Sequence, residues 1–185
     1  MKNEKFNHDK HIIDNYISND KAVIKVLIND NLNFYNEFDP RKISINKNVA
    51  EYITEEASNI PFKYNIVVEF SSSYLSENEK AKISKMLKNY YALKICNKDS
   101  IIRVNIVKSL CLILLGALMV TYSLIGEKLF GLIYEEVVYV IGWVLLWEGI
   151  DILLLSNNEH KVEKKNYQQL YDAQVIFSDK LELKD

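Results

Sequence analysis

The chain has 185 residues, 49% of them hydrophobic, with 23 Lys and Arg against 25 Asp and Glu for a formal net charge of -2. So balanced a charge leaves no basic footprint and excludes nucleic acid as an expected partner, while five glycines argue against loops that cradle a nucleotide. The two cysteines, Cys96 and Cys111, form no C-x-x-C pair and are expected to be reduced thiols, with neither a disulfide nor a zinc site.

Residues 1–20 are rich in Asn, Asp and Lys and are expected to be a flexible segment; their polar start does not resemble a cleavable signal. His8 and His11 stand at i and i+3, but no further ligands follow, so no metal is expected there. Lys21 to Ile28, with β-branched Val23, Ile24, Val26 and Ile28, predicts a strand buried on both faces, broken by Asn29 to Asn33. Asn48 with Glu51 suggests a capping box opening a short helix whose face is Val49, Tyr52, Ile53 and Ala57, stopping near Asn59 and Pro61.

Lys63 to Phe70 alternates Tyr64, Ile66, Val68 and Phe70 with Asn65, Val67 and Glu69, the period of two that marks a strand with one well-buried face. Ser76-Glu-Asn-Glu79 is a capping box, followed by a helical stripe of Ile83, Met86, Leu87, Tyr90 and Leu93. No proline or glycine separates this helix from the apolar run beyond it, so it is expected to continue into that run. Residues 21–100 are thus expected to form a small cytoplasmic α/β domain with two helices and two to three strands.

Two apolar runs follow, Val104 to Ile125 and Val137 to Leu155, each long enough at about 1.5 Å per residue to cross a bilayer core of roughly 30 Å. They predict a two-helix transmembrane hairpin over 104–125 and 137–155, with an external connector at 126–136. The fold class expected is therefore an α+β membrane protein. Residues 156–185 are expected to hold a polar helix, Asn158 to Tyr171, and a short strand, Ala173 to Phe177, able to add an edge to the N-terminal sheet.

Eight basic residues from Lys80 to Lys108, the last of them near the start of the first run, stand against one acid, Asp99, and His160, Lys161, Lys164 and Lys165 follow the second run. The connector holds Lys128 beside Glu127, Glu135 and Glu136. Basic flanks stay inside, which places both termini in the cytoplasm of a multi-pass inner-membrane protein. Two readings of the Lys80 to Lys98 charges stand side by side: a solvated helix face, or contact with anionic inner-leaflet lipid.

Within the runs, Glu148 and Asp151 share a helix face and Lys108 lies at a similar depth near the inner end of the other helix. An interhelical ion pair of Lys108 with Asp151, or with Glu148, is the favoured reading; ion conduction would need several copies around an axis. Gly142 and Gly149 lie on nearly one face and predict close approach of another helix, including self-association. Trp143 and Trp147 read as packing or interfacial aromatics, and Tyr122, Tyr134 and Tyr139 as an outer aromatic belt.

Phe34-Tyr-Asn-Glu-Phe-Asp-Pro40, Val49-Ala-Glu-Tyr-Ile53, the strand around Ile66 to Glu69, Met86 to Tyr91 and Ile141-Gly-Trp-Val-Leu-Leu-Trp-Glu-Gly-Ile-Asp151 together resemble a family of uncharacterised bacterial two-span membrane proteins. The resemblance covers about residues 20 to 178 and implies the same architecture, with no activity attached. Where that family often has arginine and proline after the second tryptophan, this chain has Glu148 and Gly149. Phe38-Asp39-Pro40 reads as a structural turn ahead of a binding turn.

No G-x-S-x-G, phosphate loop, paired-histidine zinc motif or Cys/His nucleophile set is present, and Ser71 to Ser73 reads as a polar loop. The expectation is a membrane-anchored binding or regulatory module, without catalytic residues or cofactor, whose partners are the bilayer and a second copy. A small oligomeric pore or membrane-perturbing effector using Glu148 and Asp151 is the alternative.

Overall fold

The computed structural model describes residues 16–18, 21–27, 34–71, 75–126 and 132–178. The expectations for His8 and His11, for Asn29 to Asn33, for Ser72 and Ser73 and for the Tyr134 side chain lie outside what is described. The chain divides into two compact units, one assembled from the part up to Ile95 together with the part from Lys165, the other from Cys96 to Lys164.

The first unit is a mixed sheet with helices packed on it. Strands β1 (Ile17–Ser18), β2 (Lys21–Leu27), β3 (Asn65–Ser71) and β4 (Gln174–Ser178) lie side by side in that order. β1 is antiparallel to β2, whereas β2, β3 and β4 are all parallel, with Ala22 beside Ile66, Ile24 beside Val68 and Val68 beside Val175. Parallel neighbours require crossovers, and the one between β2 and β3 carries helix α1 (Lys47–Ser58).

The alternation in the strands decides what is buried. Ala22, Ile24 and Val26 of β2 and Ile66, Val68 and Phe70 of β3 form one core with Val49, Ala50, Ile53 and Ala57 of α1. Ile83, Met86, Leu87 and Tyr91 join it from the first turns of helix α2 (Glu77–Gly126), the helix the lysine-flanked stripe predicts, and so does Leu170 near the C-terminal end of helix α4 (Asn157–Tyr171). Tyr91 is fully buried, its hydroxyl 3.3 Å from both the Ala50 carbonyl and Thr54 Oγ1, and burial raises its phenol above the ordinary value.

Several expectations are corrected in this unit. Ile17–Ser18, placed within a flexible head, instead pairs with β2, and Tyr16 donates its hydroxyl to Glu56 on α1, which with burial pushes the phenol up to about 12. β2 is buried on one face only, because the helices cover one side of the sheet: Val23 and Lys25 are only partly covered. The cap of α1 is Asn46, whose side chain accepts from the Asn48 amide at 2.9 Å, and Glu51 instead pairs with Lys47 at 3.2 Å. The Ser76 to Glu79 box forms as read, the Glu79 carboxylate accepting from the Ser76 amide at 2.9 Å and from its hydroxyl at 2.7 Å. β4 takes the edge position beside β3.

The second unit is helical. It comprises α2 from Cys96 onward, helix α3 (Leu132–Asp151), a five-residue π-helical turn (Ile152–Ser156) and α4 as far as Lys164. Both α2 and the segment from α3 through α4 are long and apolar enough to cross a membrane. The helices run further into the connector than the apolar runs do, α2 to Gly126 and α3 from Leu132.

Candidate functional site

In the helical unit the two apolar helices touch along a seam of small residues. A Cβ on Gly116 would lie 2.7 Å from the Gly142 carbonyl oxygen and 2.9 Å from Leu146 Cγ. One on Gly142 would lie 3.0 Å from the Gly116 oxygen, and one on Gly149 would lie 2.7 Å from Ile113 Cγ1 and 3.0 Å from the Ser109 oxygen. The glycines expected to attract another copy are thus already occupied by α2 of the same chain, with Gly116 as the third member of the seam. Backbone approach this close is open only to residues without a side chain, which is why glycine occupies the contact on both helices.

Lys108, Glu148 and Asp151 are all exposed, and among the described residues no ion pair joins Lys108 to either acid. The contact of Gly149 with Ser109 sets the three within a few residues of one level, but their side chains point away from the seam. The cross-helix ion pairs form further along, where the apolar runs have ended. Lys98 on α2 meets Glu163 on α4 and lies 3.4 Å from His160 Nδ1; Asp99 accepts from Lys164 at 2.6 Å. These side chains keep part of their surface exposed, so the charges are brought together without the full desolvation cost of a buried pair. Ser109 on α2 and Asn157 just after the π-helical turn are both buried and carry side-chain oxygens with no hydrogen-bond partner among the described residues.

Phe38-Asp39-Pro40 is a turn held by its aspartate. The Asp39 carboxylate accepts from the amides of Arg41 at 3.1 Å, Ile43 at 3.1 Å and Ser44 at 2.9 Å, which lets Lys42 adopt φ 52°. A hydrogen bond from the Ser44 side chain, together with these amides, holds the carboxyl at about 2, below its ordinary 3.8. The carboxylate is thus consumed by its own loop, which bridges to Phe34 and Tyr35 through Tyr35 and Ile45.

The α/β unit contains a cavity of about 500 Å³ at the end of the sheet where the parallel strands begin. One wall is a single face of α4, with Lys165, Gln168, Gln169 and, just past its end, Asp172 at i, i+3, i+4 and i+7. The other is formed by Lys21 of β2, Asn65 of β3 and Gln174 of β4, with Phe62 and Tyr64 beneath. Lys21 Nζ reaches across β3 to Gln174 Oε1 at 3.3 Å, and Lys165 Nζ stands 4.5 Å above the Phe62 ring. Both lysines are therefore positioned by neutral groups, and among the described residues neither they nor Asp172 has an ion-pair partner. Gln169 donates through Nε2 to the carbonyls of Tyr64 at 2.8 Å and Pro61 at 3.4 Å, which fixes its amide orientation and leaves Oε1 buried without a partner.

No protein-family model, curated protein or solved structure matches the chain. Sequence reasoning missed the cavity, since its residues come from three distant stretches and none forms a motif; the charged face Lys165 to Asp172 of the polar helix was the one available signal.

Proposed function

We propose that this chain is a multi-pass membrane protein in which a helical hairpin anchors a cytoplasmic α/β domain that binds a ligand or partner without catalysing a reaction. One observation carries the anchor. In the most apolar stretches of the two long helical segments only 11% and 17% of the residues are buried, and Leu110, Leu114, Leu118, Val140, Val144 and Leu154 all stand exposed. A helix in the core of a soluble protein turns such residues inward; here they cover the outside, as a hydrocarbon solvent requires. The basic flanks before Val104 and after Leu155 support a cytoplasmic location for both ends. The cavity, whose charged groups Lys21, Lys165 and Asp172 have no ion-pair partner among the described residues, supports binding as the domain's role.

Alkaline carbonate extraction of cell membranes together with tags at both ends tests this reading. Retention in the pellet with both tags on the cytoplasmic side is expected; release into the supernatant, or tags in opposite compartments, refutes it.

A second reading is favoured by the exposure of Glu148 and Asp151. Acids on the outer surface of an apolar hairpin are costly in lipid and are better accommodated between copies, where they could line a path. A crosslinked ladder and ion flux in liposomes, both lost in Glu148→Gln with Asp151→Asn, would establish the oligomeric pore over the anchored module.

A further inference from the structure

We infer that the helical hairpin pairs with a second copy of this chain about a twofold axis along the membrane normal, Lys108 of each copy bonding to Glu148 of the other. This goes beyond the anchored module proposed above and rests on it for the bilayer.

The glycine seam fixes which way the charges face. Gly149 meets the Ser109 carbonyl oxygen and Gly142 meets Gly116, so contacts advance along α2 as they retreat along α3, and the two helices are antiparallel. Each residue turns a helix by about 100°. In an antiparallel pair, positions one residue before a seam residue therefore share one face of the hairpin, and positions one residue after it share the opposite face. The first face holds Lys108 and Leu115 of α2 with Ile141 and Glu148 of α3, all exposed. The second holds Leu110 and Ala117 with Trp143 and Ile150, also exposed. One face is thus wholly apolar at these positions, while the other carries one charge of each sign. Asp151, two residues past Gly149, falls on the side of α3 opposite the seam and takes no part.

Glu148 needs a partner most. It lies seven residues before the end of the apolar run at Leu155, roughly 10 Å along the helix, beyond the span of its short side chain. Lys108 is four residues past Val104, at roughly 6 Å. Neither has an ion-pair partner among the described residues. Copies inserted with the same orientation are related by rotation about the membrane normal, which keeps every residue at its depth. A twofold axis against the charged face sets α2 of one copy over α3 of the other. Lys108 and Glu148, each one residue from the level where Ser109 meets Gly149, then differ in height by about 3 Å, which a lysine spans. The contact is self-complementary: two reciprocal ion pairs use every charge on this face, and Leu115 meets Ile141 of the second copy in the same way.

Full-length Cys111→Ser protein, labelled on exposed Cys96 with donor or acceptor dyes, is reconstituted in phosphatidylcholine liposomes, and energy transfer is followed against protein density. Transfer above random proximity and linear in acceptor fraction, as for a dimer, is expected. Lys108→Glu and Glu148→Lys should each weaken association at least about tenfold, the scale of one charge-assisted contact. An equimolar mixture of the two should restore it, because the mixed dimer regains both pairs. Glu148→Gln, which adds no charge, should also weaken it about tenfold and decides the matter where the reversed variants do not insert.

Wild-type transfer no greater than random proximity overturns the inference, and so does transfer indifferent to Glu148→Gln. Transfer curved in acceptor fraction overturns the twofold arrangement. Rescue by Lys108→Glu with Glu148→Lys in one chain, without rescue by the mixture, places the pair within a single hairpin and refutes the dimer contact. Carbonate extraction of each protein is scored in parallel: release means that anchoring has failed, whereas retained wild-type protein that stays monomeric refutes the pairing alone.

Discussion

Lys98 on α2 and Glu163 on α4 form an ion pair across the helical unit, and their immediate neighbours Asp99 and Lys164 form a second pair of opposite polarity at 2.6 Å. Each pair ties α2 to α4 through unlike charges, whereas Lys98 facing Lys164, or Asp99 facing Glu163, would set like charges together. Reversing one member, Lys98→Glu, should lower the thermal midpoint of the purified protein by the equivalent of about 0.2–1 kcal/mol of stability or more, the worth of a partly exposed pair. Lys98→Glu with Glu163→Lys should recover most of that loss at low salt. No recovery in the double variant would show that the pair contributes nothing to register.

The glycine seam predicts steric intolerance. With Gly142 oxygen 2.7 Å from a Cβ at position 116, and backbone atoms on both sides, Gly116→Ala must push the helices apart. Destabilisation of about 1–3 kcal/mol is expected for Gly116→Ala and Gly149→Ala, measured as unfolding in detergent. Leu118→Ala, on the exposed side, should change far less.

Tyr91 ties α2 to α1 through one hydroxyl. Tyr91→Phe keeps the ring, stacked with Tyr167 at 6.2 Å between centroids, and removes the bonds to Ala50 and Thr54. A loss of about 0.5–1.5 kcal/mol is expected, against about 3–5 kcal/mol for Tyr91→Ala, which also empties the site. Equal losses in the two variants would mean that packing of the ring is not what holds α2 against α1.

The turn at Asp39 sets an acid limit. Its carboxyl lies at about 2 in the folded chain and 3.8 in the unfolded one, so the folded state prefers the ionised form. Its stabilisation is complete above pH 3.8, declines as pH falls from there, and is gone below about 2. Carboxyl carbon chemical shifts followed by NMR should show Asp39 titrating near 2, and Asp39→Ala should unfold with a shallower acid limb. A midpoint near 3.8 would show that the turn does not hold the carboxylate.

The strands and the two long helices were legible because burial imposes a period on residue choice: Ile66, Val68 and Phe70 could be read as one face without coordinates. The charge lock is not legible from the apolar runs because Lys98 and Glu163 lie outside them. The available signal was a doublet of unlike charges on each segment, Lys98-Asp99 and Glu163-Lys164. Gly116 faces Gly142 within the same chain, a pairing of two stretches that neither reveals by itself. Pairing of β3 with β2 and β4, and hence the cavity at their starts, depends on contacts between distant stretches that no local pattern encodes.

The position of β4 has a consequence for biogenesis. Gln169 reaches the Tyr64 carbonyl 105 residues back along the chain, and β4 joins β3 from beyond both long helices. A ribosome therefore releases the central strand well before its neighbour exists, leaving one edge of β3 open during synthesis of the intervening helices. Completion of the α/β unit waits on the arrival of the tail, so a chain cut short after α3 would expose Val68 and Phe70 to chaperones and proteases.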